Sequence, residues 1–401
     1  MISNKSTAEP PKTTSSVHDI NAEKPPFGSR FLTEDSDIWS KNAWDHVPLP
    51  EDQSDRISSS LSRQRNSPVP DHEKPHYNDK PARHWDNFYK MNSANFFRNR
   101  KWLHTEFPEL VDAAQPEAGH VRIAEIGCGA GNSVFPLLSA NLNPELELHA
   151  FDYSNHAVKL VQNNPLYISP PVGKIHASVW DLSTSESLPQ GIQPGTVDIV
   201  VLIFVLSALH PNEWPNAIAN IYRMLKPGGS VVLRDYGRHD LTQLRFKEGR
   251  LLDENFYVRG DKTRVYFFEL DDLALLFTGS VAPSKAEELK LGGDTDGNEL
   301  PEEFTDVAEP DLSITPNTAE QRDPPEPVVF PRIPKSQSPP SVERHPSTSP
   351  DPVKSPPNCP ARPLFSIEQL GVDRRLLVNR KRQLKMYRVW MQGKFRKLLL
   401  R

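Results

Sequence analysis

The chain has 401 residues, of which 40 are proline, with a net charge of −5 and a mean hydropathy of −0.58. That polarity excludes two or three full domains and leaves material for one folded unit of roughly 240–260 residues with polar tails and an insert. Two cysteines, Cys128 and Cys359, support neither a disulfide framework nor a zinc cluster, and no run approaches the roughly 18 apolar residues of a membrane span. The first residues lack both an apolar signal core and an Arg-rich amphipathic stretch, so a cytoplasmic protein without a membrane partner is expected.

Residues 1–26 are rich in Ser, Thr, Pro and Lys and are expected to be disordered. Residues 27–80 read as an extension and polar linker, broken by two aromatic islands, Phe27–Leu32 (FGSRFL) and Asn42–His46 (NAWDH). Short islands of this kind dock on their own domain or on a partner. The folded domain begins in the span 81–278. Its first segment, Arg83–Leu110, holds seven aromatic residues in a helix-compatible pattern, with Trp85 and Tyr89 four apart on one face. Such a helix can cap the core or cover a cofactor, and the pattern does not choose between them.

Val121–Asn132 (VRIAEIGCGAGN) then reads as a buried strand, an acidic residue and a glycine turn opening a helix. Further strands are expected at Leu146–Phe151, Lys174–Val179, 198–206, Ser230–Arg234 and Val265–Glu269. Helices are expected through Phe135–Ala140, Asn155–Asn163, Pro215–Leu225 and Asp271–Phe277. Helices alternating with buried strands give a parallel sheet with right-handed crossovers, an α/β Rossmann-like domain covered on both faces. Residues 279–362 are dense in proline, carry Ser-Pro dipeptides and have no periodicity, which reads as a disordered insert. Order resumes over 363–401, where Lys385–Phe395 alternates as a strand that should return to the sheet.

The turn at Gly127, Gly129 and Gly131 has Gly-x-Gly-x-Gly spacing, not the dinucleotide Gly-x-Gly-x-x-Gly. It brings backbone N–H groups close to a ligand at a helix N-terminus. Asp152, ending the second strand, suits the paired hydroxyls of a ribose in either NAD or S-adenosylmethionine. Asp181 is placed for an adenine amino group. Glu125 before the turn, the Lys226-Pro-Gly-Gly229 turn and the late strand lean toward a methyltransferase.

Five segments carry a more specific likeness: RHWDNFYKMNSANFFRNRKWLHTEFPEL, EIGCGAGNSVFPLL, IFVLSALHP, RDYGRHDLTQLRFKEGRLLDENFYVRGDKTRVYFF and GVDRRLLVNRKRQLKMYRVWMQGKFRK. Over about 250 residues the chain resembles the tRNA N3-methylcytidine methyltransferases of the class I S-adenosylmethionine-dependent fold. FGSRFL and NAWDHV are similar to the N-terminal extension of the branch acting on threonine tRNA. The resemblance implies a seven-stranded, mostly parallel sheet and methylation of cytidine 32 in the anticodon loop, with threonine, serine and arginine tRNAs as the candidate substrates. It implies cofactor contacts at Trp85, Tyr89, Gly127, Asp152, Asp181, Leu182 and Ile203, with Gly129 in the same turn. It also makes a helper plausible, such as an aminoacyl-tRNA synthetase. The insert at 279–362 departs from the family pattern.

Cytosine N3 carries a lone pair and no proton, so methyl transfer needs no strong base; it needs positioning, desolvation and a base drawn out of its stack. Asp235, Tyr236, Asn255, Tyr257 and Arg259 are the pocket candidates, aromatics for stacking and polar groups for the base edge. No metal is called for. The basic run Arg374–Arg401, with Arg245, Lys247 and Arg250, would contact tRNA phosphates. Two rival readings are a class I methyltransferase acting on a protein or small molecule, and a catalytically silent RNA-binding scaffold.

Overall fold

The computed structural model describes residues 32–33, 36–45, 47, 53–100, 102–282 and 363–399. The disorder expected for 1–26, and for nearly all of 279–362, falls outside the described residues, as does the FGSRFL island except for Leu32.

The strands, in chain order, are β1 (Ala43–Asp45), β2 (Val121–Ile126), β3 (Leu146–Asp152), β4 (Lys174–Val179), β5 (Val197–Ile203), β6 (Leu225–Tyr236), β7 (Leu251–Asp253), β8 (Phe256–Val258), β9 (Arg264–Tyr266), β10 (Phe365–Asn379) and β11 (Leu384–Lys397). Eight of them form the central sheet in the order β1-β10-β11-β6-β5-β2-β3-β4, while β7-β8-β9 make a separate small sheet. From β4 to β6 all pairings are parallel; from β6 through β11 and β10 to β1 all are antiparallel.

The parallel strands are apolar because helices cover both faces. Ala124, Ala150 and Val200 are fully buried. One face packs Ile126, Phe151 and Leu202 against the helices Trp214–Met224 and Leu270–Thr278. The other packs Ile123, Leu148 and Val201 against Val134–Ala140 and Asn155–Gln162. Each fully buried Val, Leu or Ile contributes about 1.5–3 kcal/mol, so these two layers dominate the stability of the parallel side.

Several expectations need correction. The apolar run read through 206 leaves the sheet after Ile203, because Phe204 takes a φ of 60°. Its N–H donates to the Arg234 carbonyl at 2.8 Å, and the chain turns over the end of the sheet. Arg83–Leu110 is not one helix. Pro81–Asn92 ends at Ser93, whose φ of 51° is foreign to a right-handed helix, and the short helices Leu103–Glu106 and Pro108–Ala113 follow. The strand read at Val265–Glu269 belongs to the small sheet, as β9. Its place in the main sheet goes to β10, which the charged triplet Asp373-Arg374-Arg375 hides from pattern reading. The stretch read as linker contains the helices Gln53–Asn66 and Lys74–Asn78, and β1, from the NAWDH island, pairs with β10 to add the eighth strand.

Candidate active site

A cleft opens at the C-terminal ends of β2, β3, β5 and β6. Its floor is the glycine turn. Gly127 and Gly129 sit at φ of 65° and 53°. A Cβ on Gly127 would lie 2.7 Å from the Val205 side chain, and one on Gly129 would lie 2.3 Å from the Tyr89 hydroxyl. Only glycine leaves this floor open. All eight residues singled out for the cofactor line the cleft: Trp85, Tyr89, Gly127, Gly129, Asp152, Asp181, Leu182 and Ile203.

Asp152, at the end of β3, is buried and held from two sides. Its Oδ2 accepts the Gly129 N–H at 2.9 Å and its Oδ1 accepts the Ser154 N–H at 2.8 Å. Burial lifts its carboxyl to about 6, against the pull of those two hydrogen bonds and with a push from nearby Asp86. Glu125 is lifted to about 7, again mainly by burial, which outweighs the Ser133 hydroxyl bond and the Arg100 charge. Glu125 Oε2 is buried with no hydrogen-bond partner among the described residues, which leaves an acceptor facing the cleft.

The helix Pro81–Asn92 both packs on the core and walls the cleft. Phe88 and Tyr89 are buried, and Trp85 stacks on Tyr89 at 5.9 Å between ring centroids. Asp86 Oδ1 accepts the Ser154 hydroxyl at 2.7 Å and the His156 N–H at 3.0 Å, fixing the helix to the turn after Asp152.

Of the five pocket candidates, Tyr236 and Arg259 face the cleft. The Arg259 guanidinium lies 5.6 Å over the Tyr236 ring, and its Nη1 donates to the Arg264 carbonyl at 3.1 Å. Asp235, Asn255 and Tyr257 do not line it. Asp235 is fully buried, accepting the Ser207 N–H at 3.0 Å and the Tyr236 N–H at 2.8 Å; burial raises its carboxyl to about 6. Asn255 and Tyr257 turn inward toward Gln243. The cleft also holds residues that sequence reasoning passed over: Arg100, Phe204, Asp261 and Thr263. The Arg100 guanidinium lies 5.0 Å over Phe204. An arginine inside an aromatic segment was the available signal for Arg100; Phe204 was hidden inside what looked like a strand.

The basic C-terminal run divides once folded. Arg375, Arg388 and Lys394 are committed to Glu106, Asp240 and Glu109 at 3.0, 2.9 and 2.5 Å, and Arg396 pairs with Glu368. Lys397 donates to the carbonyls of Tyr222 and Leu225 at 2.7 Å each. Arg380, Lys381, Arg382 and Lys385 are exposed at the β10–β11 hairpin tip, and Arg245 and Lys247 are also exposed. Arg250 is half-buried, with its Nη1 3.4 Å from the Arg259 carbonyl. Among the described residues no group of three or more His, Cys, Asp or Glu side chains is placed to hold a metal, and no helix is long and apolar enough to cross a membrane.

Residues 124–231, from β2 into β6, match the methyltransferase domain family. The chain is 40% identical over 370 residues to the Saccharomyces cerevisiae tRNA(Thr) (cytosine(32)-N(3))-methyltransferase, covering 92% of this chain and 45% of that one. It is 37% identical to the Schizosaccharomyces pombe tRNA N(3)-methylcytidine methyltransferase trm140, covering 96% of this chain and 97% of the relative. Against the Xenopus tropicalis tRNA N(3)-cytidine methyltransferase METTL2 the identity is 40%, over 64% of this chain and 85% of the relative. The chain thus spans less than half of the budding-yeast relative but nearly all of the fission-yeast one.

Proposed function

The chain belongs to the tRNA N3-cytidine methyltransferase family, and on that premise we propose that its cleft binds S-adenosylmethionine and methylates N3 of cytidine 32 in the anticodon loop of a threonine tRNA. The observation that carries the reading is a single cleft joining the open glycine floor and Asp152 to Tyr236 and Arg259.

The residues present fit the cofactor. Asp152, beside Gly127 and Gly129, would accept the ribose hydroxyls. Asp181 and Leu182 would hold the adenine, with Ile203 against its apolar face. Trp85 and Tyr89 would cover the molecule. The unpartnered Glu125 oxygen would meet its ammonium group, and Arg100 its carboxylate. When bound, S-adenosylmethionine supplies an electrophilic methyl group on a sulfonium.

The chain's own work is positioning and exclusion of water. Tyr236 and Phe204, 4.7 Å apart by ring centroid, would stack an extruded base. Arg259 and Asp261 would meet its polar edge. Asp235 holds the backbone of Tyr236 and Ser207 in place without touching the base. Exposed Arg245, Lys247, Arg380, Lys381, Arg382 and Lys385 would bear on tRNA phosphates. We further infer a cytoplasmic setting, and a helper such as an aminoacyl-tRNA synthetase as an additional partner.

The test is methyl transfer from labelled S-adenosylmethionine to total tRNA, with nucleoside analysis. Wild type should yield N3-methylcytidine, and Asp152→Ala should lose at least about a hundredfold of the rate. Cofactor binding by wild type with tRNA left unmodified would move the substrate assignment to a protein, a small molecule or a helper-dependent complex.

A further inference from the structure

We propose that Gln64, on the helix Gln53–Asn66, is a positioning residue for the base-side wall of the cleft; the inference rests on the reaction proposed above. Gln64 is 1% exposed, a rare state for a glutamine in a polar, Ser-rich helix. Every part of its amide is used. Nε2 donates to the Gln243 carbonyl at 2.9 Å and to the Phe246 carbonyl at 3.1 Å, while Oε1 accepts the Tyr257 hydroxyl at 2.9 Å.

These three points lie on a segment with little regular structure of its own. It contains one short helix, Leu241–Leu244, and the three-residue strands β7 and β8. Gln243 extends the network: its Nε2 donates to Asn255 Oδ1 at 3.2 Å, and its Oε1 accepts the His239 N–H at 2.6 Å. Asn255, at a φ of 59°, accepts the Phe267 N–H at 3.0 Å through its carbonyl. The segment is therefore tied together by side-chain amides where a longer sheet would use a ladder.

What the network holds is a file of rings. Tyr257 stacks on Phe246 at 4.7 Å and 16°, meets Phe267 at 5.6 Å, and Phe267 meets Tyr236 at 5.8 Å. Only Tyr236, the last of these rings, faces the cleft. The polar flank adds little: Arg65 pairs with Glu254 at 2.6 Å, but both are about half exposed. An apolar residue at 64 would take one donor from each of two carbonyls and the acceptor from a phenol, leaving the Gln243 carbonyl with the Phe246 N–H at 3.2 Å, the Phe246 carbonyl with Arg63 Nη2 at 3.5 Å and the Tyr257 hydroxyl with Gln243 Nε2 at 3.4 Å. The remaining contacts are longer than those Gln64 makes, so the segment would be held less firmly, and the Tyr236 ring with it.

Three variants of the full chain test this: Gln64→Leu, Tyr257→Phe and the pair. The single-turnover rate of tRNA methylation should fall about tenfold in Gln64→Leu and about threefold in Tyr257→Phe, with S-adenosylmethionine affinity within about twofold of wild type. The double variant should be no slower than Gln64→Leu, because the one bond that Tyr257→Phe removes is already lost with Gln64. A wild-type rate in Gln64→Leu, additive losses, or an equal loss of cofactor affinity would overturn the proposal. If Gln64→Leu does not fold, Tyr257→Phe decides, and an unchanged rate refutes it. Amide exchange gives a readout that needs no methylation: His239 and Phe246 should exchange faster in Gln64→Leu while β2 and β5 stay protected. Unchanged exchange there would also sink the proposal, whereas a wild-type chain inactive on tRNA would sink the assigned reaction instead.

Discussion

On the parallel side of the sheet, the carboxylates of Glu125 and Asp152 stand at strand ends facing an open cleft, both lifted toward neutrality by burial. On the antiparallel side, charge of similar density is spent internally. The Arg234 guanidinium lies between Trp102 and Trp390, 4.8 and 4.7 Å from their ring centroids. It donates to Gln392 at 2.8 Å and pairs with Asp373. Arg375 reaches Asp373, Glu106 and Asp45 at 3.1, 3.0 and 3.5 Å, joining β10 to β1 and to the helix Leu103–Glu106. Burial pulls the Arg375 guanidinium down, but these three carboxylates outweigh it and hold it charged more firmly than usual. Buried charge that faces an open cleft is available to a ligand, whereas buried charge closed in by its counter-charges is a structural joint.

That contrast breaks most visibly on the antiparallel side. Asp373→Ala removes the carboxylate shared by two buried guanidinium groups, leaving Arg234 with Gln392 and Arg375 with Glu106 and Asp45, and should cost about 3–5 kcal/mol of folding stability. Denaturant unfolding checks this, and cofactor affinity should be near wild type in the molecules that remain folded. A loss of cofactor binding at full stability would mean the joint reaches into the cleft.

Gly129→Ala should do the reverse. Its Cβ would displace the Tyr89 hydroxyl at a residue held at φ 53°. The expected loss of S-adenosylmethionine affinity is about a hundredfold, with a melting temperature within a few degrees of wild type. Titration calorimetry beside thermal unfolding separates the two effects.

The smallest effect sharpens the electrostatics. In the proposed binding mode Asp152 accepts the ribose hydroxyls as a carboxylate, and its carboxyl sits at about 6. Cofactor affinity should therefore weaken about tenfold between pH 7.5 and pH 5, and Glu125, at about 7, acts in the same direction. For the unliganded fold the sign is opposite. A carboxyl raised above its unfolded value favours folding below the ordinary carboxylate range and loses that contribution as pH rises through about 6. Unliganded protein should thus gain from Asp152 on acidification while binding weakens, and a parallel decline of both would show that another group dominates.

Much of the parallel side could be read from the chain alone. Continuous apolar runs such as Val197–Ile203 mark strands covered on both faces, and the glycines at 127 and 129 together with Asp152 are local in sequence and chemistry. The strands expected at Val121–Ile126 and Lys174–Val179 have the bounds of β2 and β4, and the one at Leu146–Phe151 falls one residue short of β3. The base side was only partly legible. Tyr236 and Arg259 face the cleft, yet Tyr257, equally aromatic and close by, turns toward Gln64.

Composition and periodicity determined the α/β plan, the glycine floor of the cleft and the carboxylate that faces it, because each depends on residues a few positions apart. The tertiary structure alone decided that β10 joins the sheet, that the linker holds a helix whose Gln64 braces the segment 243–257, and which of the C-terminal arginines and lysines are exposed. Those outcomes depend on pairings across many residues, from Gln64 to Tyr257 and from Arg234 to Asp373, and on burial that only those pairings create. A charge in sequence has no partner until the chain has folded, so its role is set by the distance to its counter-charge and not by its neighbours.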